Sequence, residues 1–495
     1  MPKAHEIVVA LAGAVAEKGG RALVVGGSVR DGLLGIAPVD YDVEVYGLAP
    51  EVVEAIVREF GEVSDVGKGF AILKLVVDGA DIDVSLPRSD SKVAPGHKGF
   101  AVAAHPDMTP TEAARRRDFT MNAIAQDPLT GELVDPYRGR DDLKNKVLRV
   151  VDAEMFGDDP LRVLRAMQFV ARFGLTVDPD SFALMKGMQG TLKELPRERI
   201  GGEWRKLLMQ SEKPSLGLHF AMDVGIIEEL HPEVLALAGT PQEPEWHPEG
   251  NVWVHSCMVV DEAAAIARRE ALDDDTALTM MLGALCHDFG KPCVTRVEEG
   301  RVRSHGHEDA GAAPTKAFLH ALAIGEDTRD KVVGIVRDHM KPFRLWHEET
   351  EKGTAISDGA IRRLAARIDP ATIAELVLVT EADFRGRGPF PVPGKPGEFA
   401  FPGEYHAGAW LRDRAKKLGV FGAAPEHLVR GGEIIDLGYP PGPGVGQIVR
   451  LADDLRDEKD FCHYNIVTLL REVPADQSGN RDAAQAIERM KLELD

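Results

Sequence analysis

Two aspartates, Asp40 and Asp42, are the first residues whose types and spacing indicate chemistry. They lie in DYDVEVYG, which predicts a strand, and a strand sends alternate side chains to one face. Two neighbouring carboxylates repel each other unless a cation lies between them, and Mg²⁺ is a cation that protein carboxylates bind. The pair therefore indicates a magnesium site, although a solvated edge strand is the usual explanation of such a pair.

A glycine turn precedes the aspartates in the stretch VVGGSVRDGLL. A strand ending at Gly26 and Gly27, followed by a helix, lets phosphate oxygens approach the backbone N–H groups closely. Arg30, in the first helical turn, adds a charge-assisted contact to a phosphate. Beside the two aspartates, this turn favours a nucleoside triphosphate bound over a divalent metal. Asp83 in DIDVSLP is a candidate third carboxylate, with a surface acid as the favoured alternative, and Glu44 lies one step further along the face of Asp42.

A basic cluster and a helical pattern follow, in RRRDFTMNA and DDPLRVLRAMQFVARF. Asp159 and Arg162 are three residues apart, as are Arg162 and Arg165, so each pair shares a helical face. Such residues can present acceptors and donors to the pairing edge of a base. An ordinary salt bridge on a capped helix is the alternative, and a basic cluster is usually a solvated face.

A second constellation combines His255, the doublet His287–Asp288 and, further along, Asp383 in EADFRGR. Imidazole and carboxylate together form a mixed nitrogen–oxygen site for Mn, Fe, Ni, Co or Mg ions. A metal held there can activate water for attack on a phosphate ester. The competing explanation is a set of structural core histidines, with Asp383 serving as a helix cap.

The composition excludes several classes of protein. The chain has 495 residues and a formal charge of −21, so it has room for about three or four domains and is not coated with basic surface. No apolar stretch approaches the roughly 18 residues of a membrane span, and we expect no membrane partner. Four cysteines without paired spacing, and a start that lacks a signal-peptide pattern, indicate a reducing cytoplasm.

The elements that must position these residues change in character along the chain. Strand patterns at VVGG, DYDVEVYG, FAILKLVV and DIDVSLP, with a helix at Glu51–Phe60, predict a small α/β region at residues 1–148. Helical spacing then dominates residues 149–240, 250–345 and 355–475, which we take as three further domains. We expect the charged last 25 or so residues to be partly frayed.

The ordered motifs GGSVRD, DYD, RRDFTMNA, DPYRGRDDL and DDPLRVLRAMQFVARF closely resemble those of the bacterial class II tRNA nucleotidyltransferase and poly(A) polymerase family. The resemblance implies an α+β fold: a polymerase-β-like head with a mixed sheet, followed by an all-helical neck, body and tail. It also implies addition of CCA to the 3′ end of tRNA from CTP and ATP, without a nucleic-acid template.

The family's roles transfer to matching positions of this chain. The resemblance implies metal ligation by Asp40 and Asp42, and nucleotide binding or base selection by Gly27, Arg30, Arg117, Asp118, Asp159, Arg162 and Arg165. Two positions depart from the family pattern. Asp158 replaces a common Glu and keeps its charge, whereas Gln168 replaces a nucleotide-binding arginine of many members and loses one.

The second constellation resembles the HD phosphohydrolase superfamily, whose motif runs H…HD…D. The resemblance implies His255, His287, Asp288 and Asp383 as ligands of Ni, Co, Mn or Mg, with His305, His307 and His339 as additional histidines of catalytic HD domains. WHPEGNVWVH and EADFRGR resemble the tRNA nucleotidyltransferases that also hydrolyse phosphomonoesters and 2′,3′-cyclic phosphates. A poly(A) polymerase, an enzyme adding only A or only CC, and a non-catalytic RNA-binding protein remain alternatives, and the oligomeric state stays open.

Overall fold

The computed structural model describes residues 2–38, 40–65, 72–77, 80–92, 100–392, 394–395, 397–477 and 479–494. The chain divides into two compact units, Met1–Pro232 and Glu233–Asp495. Among the described residues, no helix combines the length and the apolar character needed to cross a bilayer.

The first unit is built on a mixed seven-stranded sheet with the strand order β3-β4-β5-β2-β1-β8-β9. Strands β2 and β5 are parallel, and the other neighbours in this sheet are antiparallel. The strands of this unit are β1 Arg21–Val25, β2 Tyr41–Tyr46, β3 Val63–Asp65, β4 Ile72–Val77, β5 Ala80–Ser85, β6 Arg88–Lys92, β7 Phe100–Ala104, β8 Ala125–Gln126, β9 Leu133–Val134, β10 Val147–Leu148 and β11 Thr176–Val177.

Helices cover the sheet and then make up most of the remainder of the first unit. They are α1 Pro2–Glu17, α2 Gly27–Leu33, α3 Pro50–Arg58, α4 Pro110–Arg115, α5 Gly139–Lys144, α6 Ala153–Phe156, α7 Leu161–Phe173, α8 Pro179–Gly187, α9 Arg197–Gln210, α10 Pro214–Val224, α11 Ile226–Leu230 and α12 Pro232–Ala238, the last of which begins at the boundary. The apolar side predicted for α7, with Leu161, Leu164, Met167 and Ala171, is buried, and α7 packs on α9 and α10. Gly174, in the left-handed conformation, ends α7.

The second unit is largely helical, with two short hairpins. Its helices are α13 Val252–Arg269, α14 Asp274–Cys286, α15 Lys291–Val294, α16 His307–Ala310, α17 Ala312–Ala321, α18 Glu326–Asp338, α19 Lys341–Thr350, α20 Asp358–Ile368, α21 Ile373–Arg385, α22 His406–Lys417, α23 Gly431–Asp436, α24 Pro443–Lys459, α25 His463–Arg471 and α26 Ala483–Leu494. The hairpins pair β12 Arg296–Glu298 with β13 Arg301–Arg303, and β14 Phe390–Pro391 with β15 Phe399–Ala400. The predicted architecture, a mixed-sheet region followed by largely helical regions, is confirmed.

The charged end of the chain was expected to be partly frayed. This expectation is wrong for α26, which is a packed helix. Ala486 and Met490 are fully buried, and Ala483, Ile487 and Leu494 pack against the same apolar cluster, on a helix that lies against α24. The apolar residues recur at helical spacing, so one face of this charged segment buries apolar surface and stabilises the helix.

Candidate active sites

The glycine turn of the first unit lies directly against Asp42 and Arg117. Gly26 has φ +75°, and a Cβ built on it would lie 2.8 Å from Nη1 of Arg117 and 3.6 Å from Oδ2 of Asp42. Only glycine both adopts this conformation readily and leaves this space. The carboxylate of Asp42 is therefore not walled off from the turn, and Gly27 begins α2 immediately after it.

Three aspartates lie at the start of β2 and on the neighbouring strand β5. Asp42 pairs in register with Asp83 on the parallel neighbour, and Asp40 lies one residue before β2, where its Oδ1 accepts from Asp81 N at 3.2 Å. Desolvation raises the pKa of Asp42 and of Asp83 and the neighbouring carboxylates raise both further, while Arg117 at Asp42 and Lys74 at Asp83 offset part of the rise. Oδ1 of Asp83 is buried and has no hydrogen-bond partner within the described part of the chain. A divalent cation would offset the repulsion among these carboxylates and would supply a partner for Oδ1 of Asp83. The residues present therefore suit Mg²⁺.

Glu44 has a different role from the aspartates that precede it. Its buried carboxylate accepts from the Tyr46 hydroxyl at 2.8 Å, from Arg116 Nη2 at 2.7 Å and from Arg117 Nη2 at 3.2 Å. Burial alone would raise the pKa of Glu44, but the two guanidinium groups outweigh it and hold the pKa below its usual value. Glu44 therefore fixes Arg116 and Arg117 beside the turn.

Arg30 and Asp118 are also held by neighbours. Arg30 is buried and donates to Asp31 at 2.8 Å and to Asn122 at 2.7 Å. Asp118 accepts from Arg165 Nε at 2.7 Å and from Asn122 at 2.9 Å. Asp118 thereby orients Arg165, a contact that the sequence motifs did not predict.

The start of α7 brings the predicted base-selecting residues together. Arg162 donates to the backbone carbonyls of Met155 and Arg116, each at 2.6 Å, which fixes the guanidinium plane. Asp159 accepts from Arg199 Nη2 at 2.8 Å, and Arg199 belongs to PRERIGGEWRKLL on α9. Arg199 was not among the residues predicted from the sequence, although this segment contains several basic residues that were the available signal.

Gln168 stands where many members of the family carry an arginine, so the site lacks one positive charge at this position. A neighbouring residue, Arg172, supplies a positive charge close by. The Gln168 side chain is buried, and its Oε1 accepts from Arg172 Nη1 at 3.0 Å, one helical turn further along. Arg30 and Arg172 both lie over the ring of Phe173, at 4.8 and 5.1 Å from its centre. Arg172 thus supplies a cation near the place that Gln168 leaves neutral.

These residues line one cavity of about 460 Å³, here called the head cavity. Eight arginine and lysine side chains and three aspartates line it, so its field favours an anion. Every residue predicted to bind nucleotide lines this cavity, together with Asp42: Gly27, Arg30, Arg117, Asp118, Asp159, Arg162 and Arg165. Asp40 is not among its lining residues.

Four histidines of the second unit form a group that we call the imidazole cluster: His255, His287, His307 and His339. In each of them, Nδ1 lies within hydrogen-bonding distance of an oxygen atom. Nδ1 lies 2.8 Å from Ala284 O in His287, 2.8 Å from Ser304 O in His307 and 2.7 Å from Val336 O in His339. In the fourth, His255, Nδ1 lies 3.0 Å from Oε1 of Glu249. A carbonyl oxygen only accepts, so Nδ1 carries the proton in the first three, and an ionised Glu249 favours the same tautomer in His255.

The Nε2 atoms of the imidazole cluster meet in pairs. They are 3.3 Å apart in His255 and His287, and 3.2 Å apart in His307 and His339. Two unprotonated nitrogens at this distance repel each other unless a cation lies between them. Carboxylates adjoin both pairs, so the donor set suits a divalent metal.

Asp288 contacts both pairs of the imidazole cluster. Its Oδ2 lies 3.2 Å from His287 Nε2, and its Oδ1 lies 3.4 Å from His307 Nε2. Oδ1 of Asp383 lies 3.1 Å from His255 Nε2. The structure thus brings Asp383 to the predicted ligands in spite of its distance along the sequence, whereas His305 lines the adjoining cavity outside these contacts.

Two further contacts hold the imidazole cluster together, and neither was predicted from the sequence. The side chain of Glu249 is buried, and its Oε1, which lies 3.0 Å from His255 Nδ1, accepts from His247 Nδ1 at 2.8 Å. A Cβ on Gly290 would lie 1.9 Å from His307 O, so the turn after the His287–Asp288 doublet touches the backbone that carries His307. Both residues lie in motifs that were recognised, WHPEG and HDFGKP, but nothing in the spacing distinguished them.

The cavity beside the imidazole cluster also has a volume of about 460 Å³, and we call it the imidazole cavity. Polar, aromatic and metal-type residues line it, among them Gln242, Trp246, His247, Asp288, Lys291, Arg301, Arg303, His307, His339, Phe343, Arg344, Asp383, Phe384, Arg387 and Tyr405. Lys291 donates to Gln242 at 2.6 Å and lies 2.7 Å from Asp288 Oδ2. The cavity therefore combines candidate metal ligands with cations and aromatic rings.

Comparison with known families matches three parts of the chain. The model described as Poly A polymerase head domain covers residues 22–149, and the one described as Probable RNA and SrmB- binding site of polymerase A covers 174–237. The model described as HD domain covers residues 252–380. A nucleotidyltransferase head and an HD domain are thus both present, and both kinds of domain typically use divalent metals.

Curated relatives resemble most of the chain. The Multifunctional CCA protein of Xanthomonas campestris pv. campestris is 39% identical over 373 residues, which is 74% of this chain and 85% of the relative. The protein of the same name from Xylella fastidiosa is 35% identical over 376 residues, covering 74% and 84%. The chain belongs to the multifunctional CCA protein family.

Solved structures show the same fold at lower identity. The Bacillus stearothermophilus CCA-adding enzyme in complex with CTP is 22% identical, with a TM-score of 0.61 and coverage of 98% of this chain and 97% of that one. The Thermotoga maritima CCA-adding enzyme complexed with tRNA is 18% identical, with a TM-score of 0.57 and coverage of 100% and 96%.

Proposed function

We propose that the chain adds C, C and A to the 3′ end of tRNA from CTP and ATP without a nucleic-acid template, and that its second unit hydrolyses phosphate esters. The observation that carries the first activity is the head cavity, where the glycine turn and Asp42 adjoin a set of arginines. Relatives named Multifunctional CCA protein, and the structures named for bound CTP and tRNA, support the same substrates. We place both activities in the cytoplasm.

In nucleotide addition, the terminal hydroxyl oxygen of the tRNA bonds to the α-phosphorus of the bound triphosphate. The bond from that phosphorus to the bridging oxygen breaks, pyrophosphate leaves, and the hydroxyl proton passes to solvent. Asp42 and Asp40, with Asp83 as a third carboxylate, would hold Mg²⁺, and an ion bound there would lower the pKa of the attacking hydroxyl and offset the phosphate charge. Arg117 and the backbone at Gly27 bind the triphosphate.

Base selection falls to Asp159 and Arg162 in this proposal. Two backbone carbonyls hold the Arg162 guanidinium and leave further N–H groups for a base edge. Arg199 holds the Asp159 carboxylate, whose remaining lone pairs accept from an amino group. Asp118 keeps Arg165 in place beneath them.

The imidazole cluster supports the phosphohydrolase assignment. We place one metal site at His255, His287, Asp288 and Asp383, and a second at Asp288, His307 and His339, with Ni, Co, Mn or Mg as the ion. An ion held there would supply an activated water. The water oxygen bonds to phosphorus, the ester oxygen–phosphorus bond breaks, and the alcohol leaves with a proton. Tautomers fixed through Nδ1 keep each Nε2 available as a ligand.

The product made from a tRNA transcript lacking its terminal CCA tests the first activity. The transcript is incubated with CTP, with ATP or with both, and the 3′ ends are sequenced. We expect a defined CCA end with both nucleotides. Asp42→Asn should lower the rate at least about a thousandfold, because the carboxylate beside the triphosphate is lost.

Asp141→Asn, which removes an exposed carboxylate paired with Arg138, is the matched control and should retain the full rate. A long A tail would support a poly(A) polymerase instead. Ends in C alone, or in a single A, would indicate a partial activity. No addition by the native chain would favour a non-catalytic RNA-binding protein.

A further inference from the structure

Arg387 in the second unit differs from Lys291, Arg301 and Arg344 of the imidazole cavity, because it forms no salt bridge with a carboxylate among the described residues. Lys291 pairs with Asp288, Arg301 with Glu243 and Glu245, and Arg344 with Glu308. Arg387 forms no salt bridge with any described residue, and its Nε is buried without a hydrogen-bond partner among them. Arg303 is also unpaired within the described ranges, but it lies exposed on the β13 strand.

The position of Arg387 is fixed, although its guanidinium group forms no salt bridge within the described part of the chain and acts on Asp383 only through its charge, which helps to lower the pKa of that carboxyl. The group lies over the ring of Phe384, 5.0 Å from the ring centre. The amide of the next residue, Gly388, donates to Glu249 Oε2 at 3.0 Å, and Glu249 also contacts the candidate ligand His255. The segment that carries Arg387 is therefore tied to the imidazole cluster, which lowers the cost of ordering the guanidinium for a ligand.

Arg385, two residues earlier in the same segment, has a structural role, because its guanidinium is paired with a carboxylate of the protein. Its Nε donates to Glu381 Oε1 at 2.7 Å, and Arg269 binds the same carboxylate from α13. Arg385 does not line the imidazole cavity, whereas Arg387 lines it together with Asp288 and Asp383. A buried N–H without an acceptor is unfavourable unless a ligand supplies the acceptor.

We propose that Arg387 is a catalytic-site residue that binds the phosphate group of the phosphohydrolase substrate. A guanidinium binds phosphate oxygens with two parallel N–H groups, and its charge offsets that of the phosphate. Arg387 is the cavity-lining cation with a buried, unmatched donor, so it is placed for the phosphate rather than for the rest of the substrate. This inference rests on the proposed hydrolase function of the second unit.

Phosphate binding and hydrolysis by the full-length chain test this assignment separately. Binding of radiolabelled inorganic phosphate is measured by equilibrium dialysis on Co²⁺-loaded protein, and KM and kcat are measured with p-nitrophenyl phosphate. We expect Arg387→Gln to weaken phosphate binding and to raise KM about tenfold or more, because a hydrogen-bonded charge pair is lost. Arg387→Lys should recover part of the binding, and Arg385→Gln should match the native chain.

The cobalt content and cobalt absorption of each variant show whether the metal site is intact. Arg387→Gln protein that keeps its cobalt and binds phosphate as tightly as the native chain overturns the assignment. Loss of cobalt together with phosphate in both Arg387 variants also overturns it, because Arg387 would then support the metal site. A native chain that binds phosphate but hydrolyses no ester refutes the hydrolase function, while the dialysis result still decides the role of Arg387.

Discussion

At the scale of single residues, two buried glutamates determine how neighbouring functional groups are presented. Glu44 holds Arg116 and Arg117 beside the glycine turn, and Glu249 contacts Nδ1 of His255. In each case the buried carboxylate contacts a side chain that we predict to bind a ligand or metal, and this contact restricts the orientation of that side chain. Carboxylates behind metal-binding histidines fix the tautomer and raise the basicity of the ligating nitrogen.

Removing the charge of Glu249 tests this role. Glu249→Gln should weaken Co²⁺ binding by about 10- to 100-fold, because the amide no longer favours the proton on Nδ1 of His255. The measurement is the cobalt absorption spectrum during titration of the metal-free chain. Glu381→Gln, a buried carboxylate on α21 paired with Arg269 and Arg385, is the control and should bind cobalt normally. Equal cobalt affinity in the native chain and Glu249→Gln would contradict the role.

At the scale of elements, a buried histidine joins α9 to the end of α11. His231 is 1% exposed, and its ring meets that of Trp204 edge-on, with the ring centres 5.0 Å apart. Burial lowers the pKa of His231 from 6.5 to about 3. Because the unfolded chain takes up this proton at a higher pH than the folded chain does, the contribution of His231 to stability is lost as the pH falls from 6.5 towards 3.

Replacement by an apolar ring should remove this acid sensitivity. The native free energy of unfolding should fall more steeply than that of His231→Phe between pH 6.5 and 4, by up to about 1.4 kcal/mol per pH unit. Urea denaturation at several pH values measures both slopes. His219→Gln, a change at an exposed position of α10, should keep the native slope. Parallel slopes for the native chain and His231→Phe would show that His231 does not titrate in this way.

At the scale of the whole molecule, the two candidate sites lie in separate compact units, and each unit contains all the residues that line its cavity. The net charge of −21 conceals the cationic lining of the head cavity, because the excess acid lies elsewhere. Local charge rather than total charge governs binding of an anionic substrate.

Separate sites predict separable activities. His287→Ala should end phosphate-ester hydrolysis and leave CCA addition within about twofold of native, because the head cavity lies entirely in the other unit. Both rates are measured on one preparation, with p-nitrophenyl phosphate and with tRNA lacking CCA. Asp42→Asn provides the reciprocal control, with hydrolysis retained. Loss of both activities in His287→Ala would mean that the imidazole cluster is structural support.

The sequence predicted contacts carried by short motifs better than contacts made between distant motifs. Strand alternation and the glycine turn indicated that Asp42 lies beside that turn, where the structure has it, because both are local properties of the chain, and its role as a metal ligand stays a prediction. Nothing local shows that Glu44 contacts two arginines, or that Oδ1 of Asp83 has no hydrogen-bond partner among the described residues, because both depend on which strands become neighbours. The packing of α26 was missed because its charged residues obscured the helical spacing of Ala483, Ala486 and Met490.

The contact at Gly290 has a consequence for how the second site is assembled. Main chain touches main chain there, between the segment after His287 and the segment that begins at His307. The distance between the two pairs of Nε2 atoms therefore depends on the path of the backbone, because no side chain lies between the two segments at this contact. Substitutions in the surrounding core can change the walls of the imidazole cavity. The spacing between the candidate metal ligands changes only if a larger residue pushes these two segments apart.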